Sequence, residues 1–217
     1  MKHATAMGTV CLGKTHMSEL ACSGLGLNPK TATSPCVHDI DAVSGGSSSG
    51  AAASVAFGLA PIAIGSDTGG SVRIPSVWND LVGLKTTSGR LSLTGVVPLC
   101  ARFDTVGPLA KTVTDAAHVL AVLEGRKAID LTPPTLKGRR LAILKTVAMQ
   151  DLRDAPQSAF ETAVAKFTEA GAEIVEIEIP EVEQSFAHAA ILFAAEAYGT
   201  WGAEIEANPD MMFEPIL

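Results

Sequence analysis

The sequence predicts an α/β protein in which helices cover a largely parallel sheet. In the second half of the chain, "RRLAILK" (139–145), "APQSAFETAVAKFTEAG" (155–171) and "AEIVEIEI" (172–179) show in turn the patterns of a strand, an amphipathic helix and a strand. In the first half, "PIAIG" (61–65) is a short and wholly apolar run, which is typical of a buried parallel strand. Elements that alternate in this way indicate parallel strands joined by crossover helices.

The N-terminal half supplies further elements. "GTVCLGK" (8–14) has the pattern of a short strand, and "THMSELAC" (15–22) that of a helix with Thr15 as its N-cap. Residues 24–46 are rich in Pro, Asn, Asp, Ser and Thr, so we expect a long irregular segment. A helix made mostly of small residues is predicted from about residue 49 to residue 59, and small side chains allow it to pack close to its neighbours.

The rest of the chain continues the alternation. "RIPSVWNDLVGLK" (73–85) predicts a short helix followed by a strand, and "TVTDAAHVLAVLEG" (112–125) predicts an amphipathic helix that Gly125 ends. Residues 126–137 contain two prolines and are predicted to form a surface connection. A last helix is expected from about Glu183 into the 190s.

Composition limits the class of protein. The chain has 217 residues, of which 47% are apolar, and its mean hydropathy is +0.29. We therefore expect residues 1–217 to be a single domain with a core over 8–125 and a further α/β part over 126–217. A predicted strand close to the start, and an end without a polar tail, indicate that this domain is partial, a fragment of a larger unit. Whether the protein forms a homo-oligomer stays open.

Charge and cysteine content exclude several functions. The formal net charge is −7 and the 16 Lys and Arg are scattered, which disfavours a nucleic-acid surface. The longest apolar stretch, 51–65, is too short to cross a bilayer, so a membrane is also disfavoured. The four cysteines show neither CxxC pairs nor metal-type spacing with histidines, so we expect no metal and no other cofactor. Free cysteines of this kind indicate a reducing compartment, for which the cytoplasm is the default.

Two segments rich in serine and glycine carry the functional signal. The second of them, "GSDTGGS" (65–71), is called here the second loop; Gly69 and Gly70 permit a tight turn whose amides converge just before Ser71. A serine in that position suits a nucleophile beside an oxyanion hole, and Asp67 could brace the turn through backbone hydrogen bonds. A structural turn or a phosphate-binding turn fits the same residues, so both interpretations stay open at this point.

The first segment, "SGGSSSG" (44–50), is called here the first loop. Flexible linkers share its composition, but a linker does not run directly into a buried, Ala-rich helix. Because the predicted helix and the predicted strand 61–65 can bring the two loops back together, we expect them to form two walls of one site.

The stretch "GGSSSGAAASVAFGLAPIAIGSDTGGSVRIPS" strongly resembles the signature of the amidase signature family of serine hydrolases. The likeness continues through "LVGLKTTSGRLSLTGVVPL", "FDTVGPLAKTVTDAAHVLAVLEG" and, upstream, "GTVCLGKTHMSEL". It is dense over residues 8–125 and looser elsewhere. The resemblance implies a mixed, largely parallel sheet with helices on both faces, and hydrolysis of a carboxamide through a serine acyl-enzyme.

The resemblance also implies a triad of two serines and a lysine. Ser71 matches the nucleophile, and Ser47 matches the serine that follows a cis peptide bond and relays a proton. Arg73 matches a position often near the substrate, with a structural ion pair as the alternative. The backbone donors of an oxyanion hole match Thr68, Gly69, Gly70 and Ser71.

The family's lysine has no match here. Only Lys2, Lys14 and Lys30 precede the first loop, and Lys14 lies in "LGKTHM", which matches a non-catalytic stretch of the family. We therefore expect a small-molecule amidase whose isolated 217-residue chain is catalytically weak. The alternatives are an inactive amidase-like scaffold and the amidase component of a tRNA-dependent amidotransferase, although "GGSSSGA" favours a stand-alone amidase over that component.

Overall fold

A computed structural model of the chain describes residues 2–127, 129–133 and 135–214. They fall into two compact units, one within Met1–Asp130 and Ala195–Leu217 and the other within Leu131–Ala194. Both serine–glycine loops belong to the first unit. The expectation of a single partial domain over 1–217 stays a prediction.

Helices and strands alternate along most of the chain. The α-helices are α1 (Lys2–Ala6), α2 (Ser49–Ala56), α3 (Arg73–Trp78), α4 (Val113–Leu123), α5 (Asp154–Glu169) and α6 (Glu181–Ala207). The strands are β1 (Ile62–Asp67), β2 (Val82–Gly83), β3 (Thr105–Ala110), β4 (Arg140–Leu144) and β5 (Glu173–Ile177). Short 3-10 helices cover Glu19–Ala21, Val147–Met149 and Pro209–Met211. In the part of the chain just described, no helix is long and apolar enough to cross a membrane.

The strands form a mixed set of pairs. In the first unit β1, β3 and β2 lie side by side in that order, and both pairs are antiparallel, with Asp67 opposite Thr105. In the second unit β4 and β5 form a parallel pair that starts with Arg140 opposite Glu173. The mixed α/β class is confirmed, but the largely parallel arrangement is wrong for these strands. The apolar run in β1 indicated burial, and burial alone does not set strand direction.

The core of the first unit lies where α2 meets the sheet. Ala51, Ala52, Val72 and Leu109 form a buried cluster, and each is at most 2% exposed. Alanines on α2 bring its backbone close to β1, and the contact is so tight that a Cβ on Gly65 would lie 2.5 Å from Ser48 Oγ. This close approach brings the first loop, which opens α2, against β1, which leads into the second loop.

The N-terminal segment differs from expectation. The predicted strand 8–14 is irregular and pairs with no described strand, so Val10 and Leu12 are 80% and 72% exposed. The predicted helix 15–22 is reduced to the 3-10 helix Glu19–Ala21, and Thr15 caps no helix. An alternating apolar pattern yields a strand only where a neighbouring strand completes the hydrogen bonds, and no described strand does so here.

Most other elements are confirmed. The helix predicted over 49–59 ends at Ala56, and residues 24–46 are irregular apart from one isolated bridge. In α4 the N-cap Thr112 accepts a hydrogen bond from the Asp115 amide, and Gly125 follows the helix with a φ of +66°. The last helix is longer than predicted. The connection 126–137 carries no helix or strand where it is described; residues 128 and 134 lie outside the described part.

Gly107 on β3 tests the packing of this sheet. A Cβ at this position would lie 2.0 Å from the Leu84 carbonyl oxygen, so Gly107→Ala should force the end of β2 away. We expect the free energy of unfolding to fall by about 1–3 kcal/mol. Gly199→Ala is the matched control, since a Cβ there meets open space on a helix, and it should leave stability unchanged or raise it by up to about 1 kcal/mol. Urea denaturation of both variants with equal midpoints would contradict this packing.

Candidate active site

The two serine–glycine loops touch, as predicted. The Ser48 amide donates a hydrogen bond to the Ser71 carbonyl oxygen at 3.2 Å. The Ser48 hydroxyl in turn donates to the Ser66 carbonyl and accepts from the Ser66 amide, both at 3.2 Å. These bonds join the start of α2 to the end of β1, so the first and second loops form one continuous site.

Ser47 is the most isolated polar group of the site. The peptide bond between Gly46 and Ser47 is cis, as predicted. The Ser47 carbonyl accepts hydrogen bonds from the Ser18 and Ser49 amides, at 3.1 and 2.8 Å. Its hydroxyl is fully buried and has no hydrogen-bond partner among the described residues. Buried hydroxyls are normally paired, so this oxygen is available to a further group.

Ser71 ends the second loop, two residues before α3 begins at Arg73. The residue is 8% exposed, and its carbonyl is held by the Ser48 amide. Its hydroxyl forms no hydrogen bond with any described residue and, unlike the Ser47 hydroxyl, is not fully buried. Ser71 is therefore held through its backbone, while its hydroxyl has no hydrogen-bond partner among the described residues.

The Asp67 carboxylate closes the second loop on itself. It is fully buried and accepts hydrogen bonds from the Gly70 amide at 2.9 Å and the Val72 amide at 3.1 Å. The Arg73 guanidinium adds two bonds, from Nε at 3.0 Å and from Nη2 at 2.9 Å. Burial raises the pKa of Asp67, but the hydrogen bonds from Arg73 and Val72 outweigh it, so the pKa lies below its ordinary value.

The predicted oxyanion donors are not equivalent. The Gly70 amide already donates to Asp67, so it is occupied in this arrangement. By contrast, the amides of Thr68, Gly69 and Ser71 donate to no described group. Glycine is nevertheless required at position 70, because its φ of +139° is one that other residues rarely adopt. The Thr68 and Gly69 amides are thus free donors, and the Ser71 amide is a third.

Arg73 forms the ion pair that was the alternative to substrate binding. Its guanidinium is bidentate with Asp67, although its side chain is 52% exposed. The Asp67 hydrogen bond raises the pKa of Arg73 further, so the group stays charged. A contact between Arg73 and substrate stays a prediction.

Three residues that brace the loops were not singled out from the sequence. Asn79, 1% exposed, donates to the Ser44 and Pro75 carbonyls, both at 2.8 Å, and so ties the first loop to α3. Asp104 accepts from the Thr68 hydroxyl at 2.5 Å, and the Thr105 hydroxyl donates to the Asp67 carbonyl at 2.7 Å. Only the position of Asp104 and Thr105 in "FDTVGPLAK" hinted at a role, because that stretch carries the family resemblance.

A cavity of about 930 Å³ opens beside Ser48 and Ser66. Neither Ser47 nor Ser71 lines it. Arg90 and Arg126 lie on its wall, and their hydrogen bonds to Glu124 lower the pKa of that carboxyl to about 2. Among the residues that the structure describes, no group of three or more His, Cys, Asp or Glu is placed to hold a metal ion.

The Asp67 carboxylate gives a pH-dependent prediction. Because its pKa is lowered in the folded chain, its stabilising effect is present above the unfolded value of about 4 and is lost as pH falls through the lower folded value. Asp67→Asn should therefore lower the free energy of unfolding at pH 7 by about 1.5–3 kcal/mol. The difference from the unaltered chain should shrink as the pH falls below about 4.

Asp210→Asn is the control for this experiment, since the Asp210 side chain is exposed and makes no hydrogen bond or ion pair with a described residue. It should change stability by less than about 0.5 kcal/mol. Denaturant titrations between pH 3 and pH 7 measure both variants. A deficit for Asp67→Asn that is the same at every pH would contradict the role given to the charge.

Comparison with known proteins points to one family. A family model described as Amidase matches residues 1–212. The chain is 36% identical to a component of the glutamyl-tRNA(Gln) amidotransferase of Chlorobaculum tepidum, over 91% of this chain and 44% of that protein. It is 39% identical to 2-amino-5-chloromuconic acid deaminase of Comamonas testosteroni over 82% of this chain and 39% of that protein.

Solved structures give the same result. A crystal structure of an amidase superposes with a TM-score of 0.90 and 28% identity, over 99% of this chain and 49% of that one. The chain thus spans less than half the length of these relatives. With a family model that covers nearly all of its residues and relatives above 30% identity, the chain belongs to the amidase signature family.

Proposed function

We propose that this chain carries the nucleophile and the oxyanion hole of an amidase that hydrolyses a small carboxamide. The observation that supports it most is that the second loop has hydrogen-bonding groups without partners. Ser71 has a free hydroxyl, and the amides of Thr68 and Gly69, three and two residues before it, have no acceptor among the described residues. Such a turn is prepared to bind a negative oxygen next to a nucleophile.

In the proposed reaction the Ser71 oxygen attacks the carbonyl carbon of the amide. The carbonyl oxygen becomes negative in the tetrahedral intermediate and accepts hydrogen bonds from the free amides of Thr68 and Gly69. The C–N bond then breaks, the nitrogen leaves with a proton as ammonia or an amine, and the acyl group stays on Ser71 as an ester. Attack by water releases the acid. Each oxyanion donor of this kind contributes about 10²–10³-fold to kcat.

We assign the proton relay to Ser47. Its buried and unpartnered hydroxyl lies in the loop whose next residue, Ser48, bonds to the Ser71 carbonyl. A relay needs a base behind it, and the family resemblance implies a neutral lysine. Lys14 is exposed, Lys30 donates to the Asp210 carbonyl, and no described lysine donates to Ser47. We therefore place the base outside these 217 residues and expect the chain alone to react slowly.

A second candidate function is that of the amidase component of a tRNA-dependent amidotransferase. Its support is the similarity to the Chlorobaculum tepidum protein over most of this chain. Ammonia release from glutamine, but not from a panel of simple aryl and aliphatic carboxamides, would favour this candidate. An inactive amidase-like scaffold is the third, and the observation in its favour is that no described lysine bonds to the Ser47 hydroxyl.

The cellular setting is part of the proposal. We place the protein in the cytoplasm because its cysteines are free and its composition fits a reducing compartment. The proposed partner is a small amide, without nucleic acid or membrane. Association into a homo-oligomer stays a prediction that light scattering can decide.

Covalent labelling tests the nucleophile. A fluorophosphonate forms a bond between its phosphorus and the attacking serine oxygen, and fluoride leaves. We expect peptide mass mapping to find the label on Ser71, because its hydroxyl is free beside free amides. Ser71→Ala should remove the label, whereas Ser92→Ala, an exposed serine of another turn, should not. Labelling of another serine with Ser71 unmodified would refute the assignment.

The same reagent tests the assignment of the base. If no lysine of this chain serves Ser47, Lys14→Ala should label Ser71 at the rate of the unaltered chain, within about twofold. Ser47→Ala should likewise leave the rate within about tenfold, because a relay without a base in this chain moves no proton to it. A slowing of about 10²-fold or more in both Lys14→Ala and Ser47→Ala would show that Lys14 is the base.

A further inference from the structure

We infer that Thr105 is a positioning residue of the proposed amidase site and that its hydroxyl aims the Thr68 amide at the oxyanion. The inference rests on the proposed function, since it assigns a role toward the group that Ser71 would attack. Thr105 is the first residue of β3 and is 3% exposed. It belongs to neither serine–glycine loop.

The geometry of a single peptide unit carries this inference. The Thr105 hydroxyl donates to the Asp67 carbonyl oxygen at 2.7 Å. That carbonyl and the Thr68 amide belong to the same planar peptide group, in which C=O and N–H point in opposite directions. Holding the carbonyl against β3 therefore turns the Thr68 N–H away from the sheet. No described group accepts from that N–H.

The neighbouring residue Asp104 also holds Thr68, through the Thr68 side chain. Its carboxylate accepts from the Thr68 hydroxyl at 2.5 Å and from the amides of Leu99 and Cys100 at 2.9 and 3.2 Å. Asp104 is 5% exposed. Two consecutive residues at the start of β3 thus hold Thr68, one through the carbonyl before it and the other through its side chain.

A second threonine, which bonds to β3 from outside the sheet, separates positioning from ordinary packing. The Thr86 hydroxyl donates to the Val106 carbonyl at 2.8 Å, and Thr86 is 4% exposed. The bond is of the same kind as that of Thr105 and 0.1 Å longer, and the two threonines are buried to a similar extent. The amide beyond the Val106 carbonyl belongs to Gly107 on β3, which is outside both loops. Thr86→Val should therefore reproduce the structural cost without the effect on the site.

The experiment compares Thr105→Val, Thr105→Ser and Thr86→Val in the full chain. The maximal rate of Ser71 labelling by a fluorophosphonate, its half-saturating concentration and the melting temperature are measured for each. Thr105→Val should lower the maximal rate about tenfold or more with little change in half-saturation, because an oxyanion donor acts in the transition state. Thr105→Ser, which keeps the hydroxyl, should restore the rate to within about threefold. Thr86→Val should lower the melting temperature similarly and leave the rate unchanged.

Crystal structures of Thr105→Val and Thr105→Ser give a readout that needs no reactivity. We expect the Asp67–Thr68 peptide to rotate in the valine variant and to keep its orientation in the serine variant. An unmoved peptide in Thr105→Val, or equal rate losses in Thr105→Val and Thr86→Val, would overturn the inference. If the unaltered chain does not react at Ser71 at all, the proposed function fails, and the two crystal structures alone decide the positioning.

Discussion

The buried carboxylate of Asp67 holds the second loop in the shape on which the site depends. It accepts from the Gly70 amide within the turn and from the Val72 amide beyond it, and Arg73 neutralises it from the surface. A turn of two glycines and a serine has little conformational preference of its own. With its carboxylate bonded in this way, the loop presents Ser71 in one orientation and leaves the Thr68 and Gly69 amides unpaired.

Small residues then bring the second part of the site into place. Gly65 allows the Ser48 side chain to reach the backbone of Ser66, and the buried alanines of α2 let that helix lie close to β1. Ser47 is carried with Ser48 into the interior, where its hydroxyl finds no partner among the described residues. The same packing that fixes Ser71 thus places an unsatisfied hydroxyl in the adjoining loop, which is a costly feature in a structural loop and a useful one in the proposed proton relay.

The sequence predicted best what depends on local chemistry. The brace at Asp67, the helix that ends before Gly125 and the contact between the two loops follow from residue types and motifs, whereas the cis bond before Ser47 was implied by the family resemblance. What depends on a distant partner was missed. The segment 8–14 has a strand pattern but no described strand beside it, and the direction of β1 is set by its pairing with β3. The roles of Asn79 and Thr105 likewise arise only from contacts across the fold.

We propose that the second loop is an oxyanion hole already formed, with the Thr68 and Gly69 amides as its donors. The most direct measurement is a crystal structure of the chain after a fluorophosphonate has reacted with Ser71, because the phosphoryl oxygen then stands where the oxyanion would be. We expect this oxygen to lie about 2.7–3.1 Å from the amide nitrogens of Thr68 and Gly69, with the Gly70 amide still bonded to Asp67. A phosphoryl oxygen that points to solvent, or that displaces Asp67 from Gly70 to gain its donor, would contradict it.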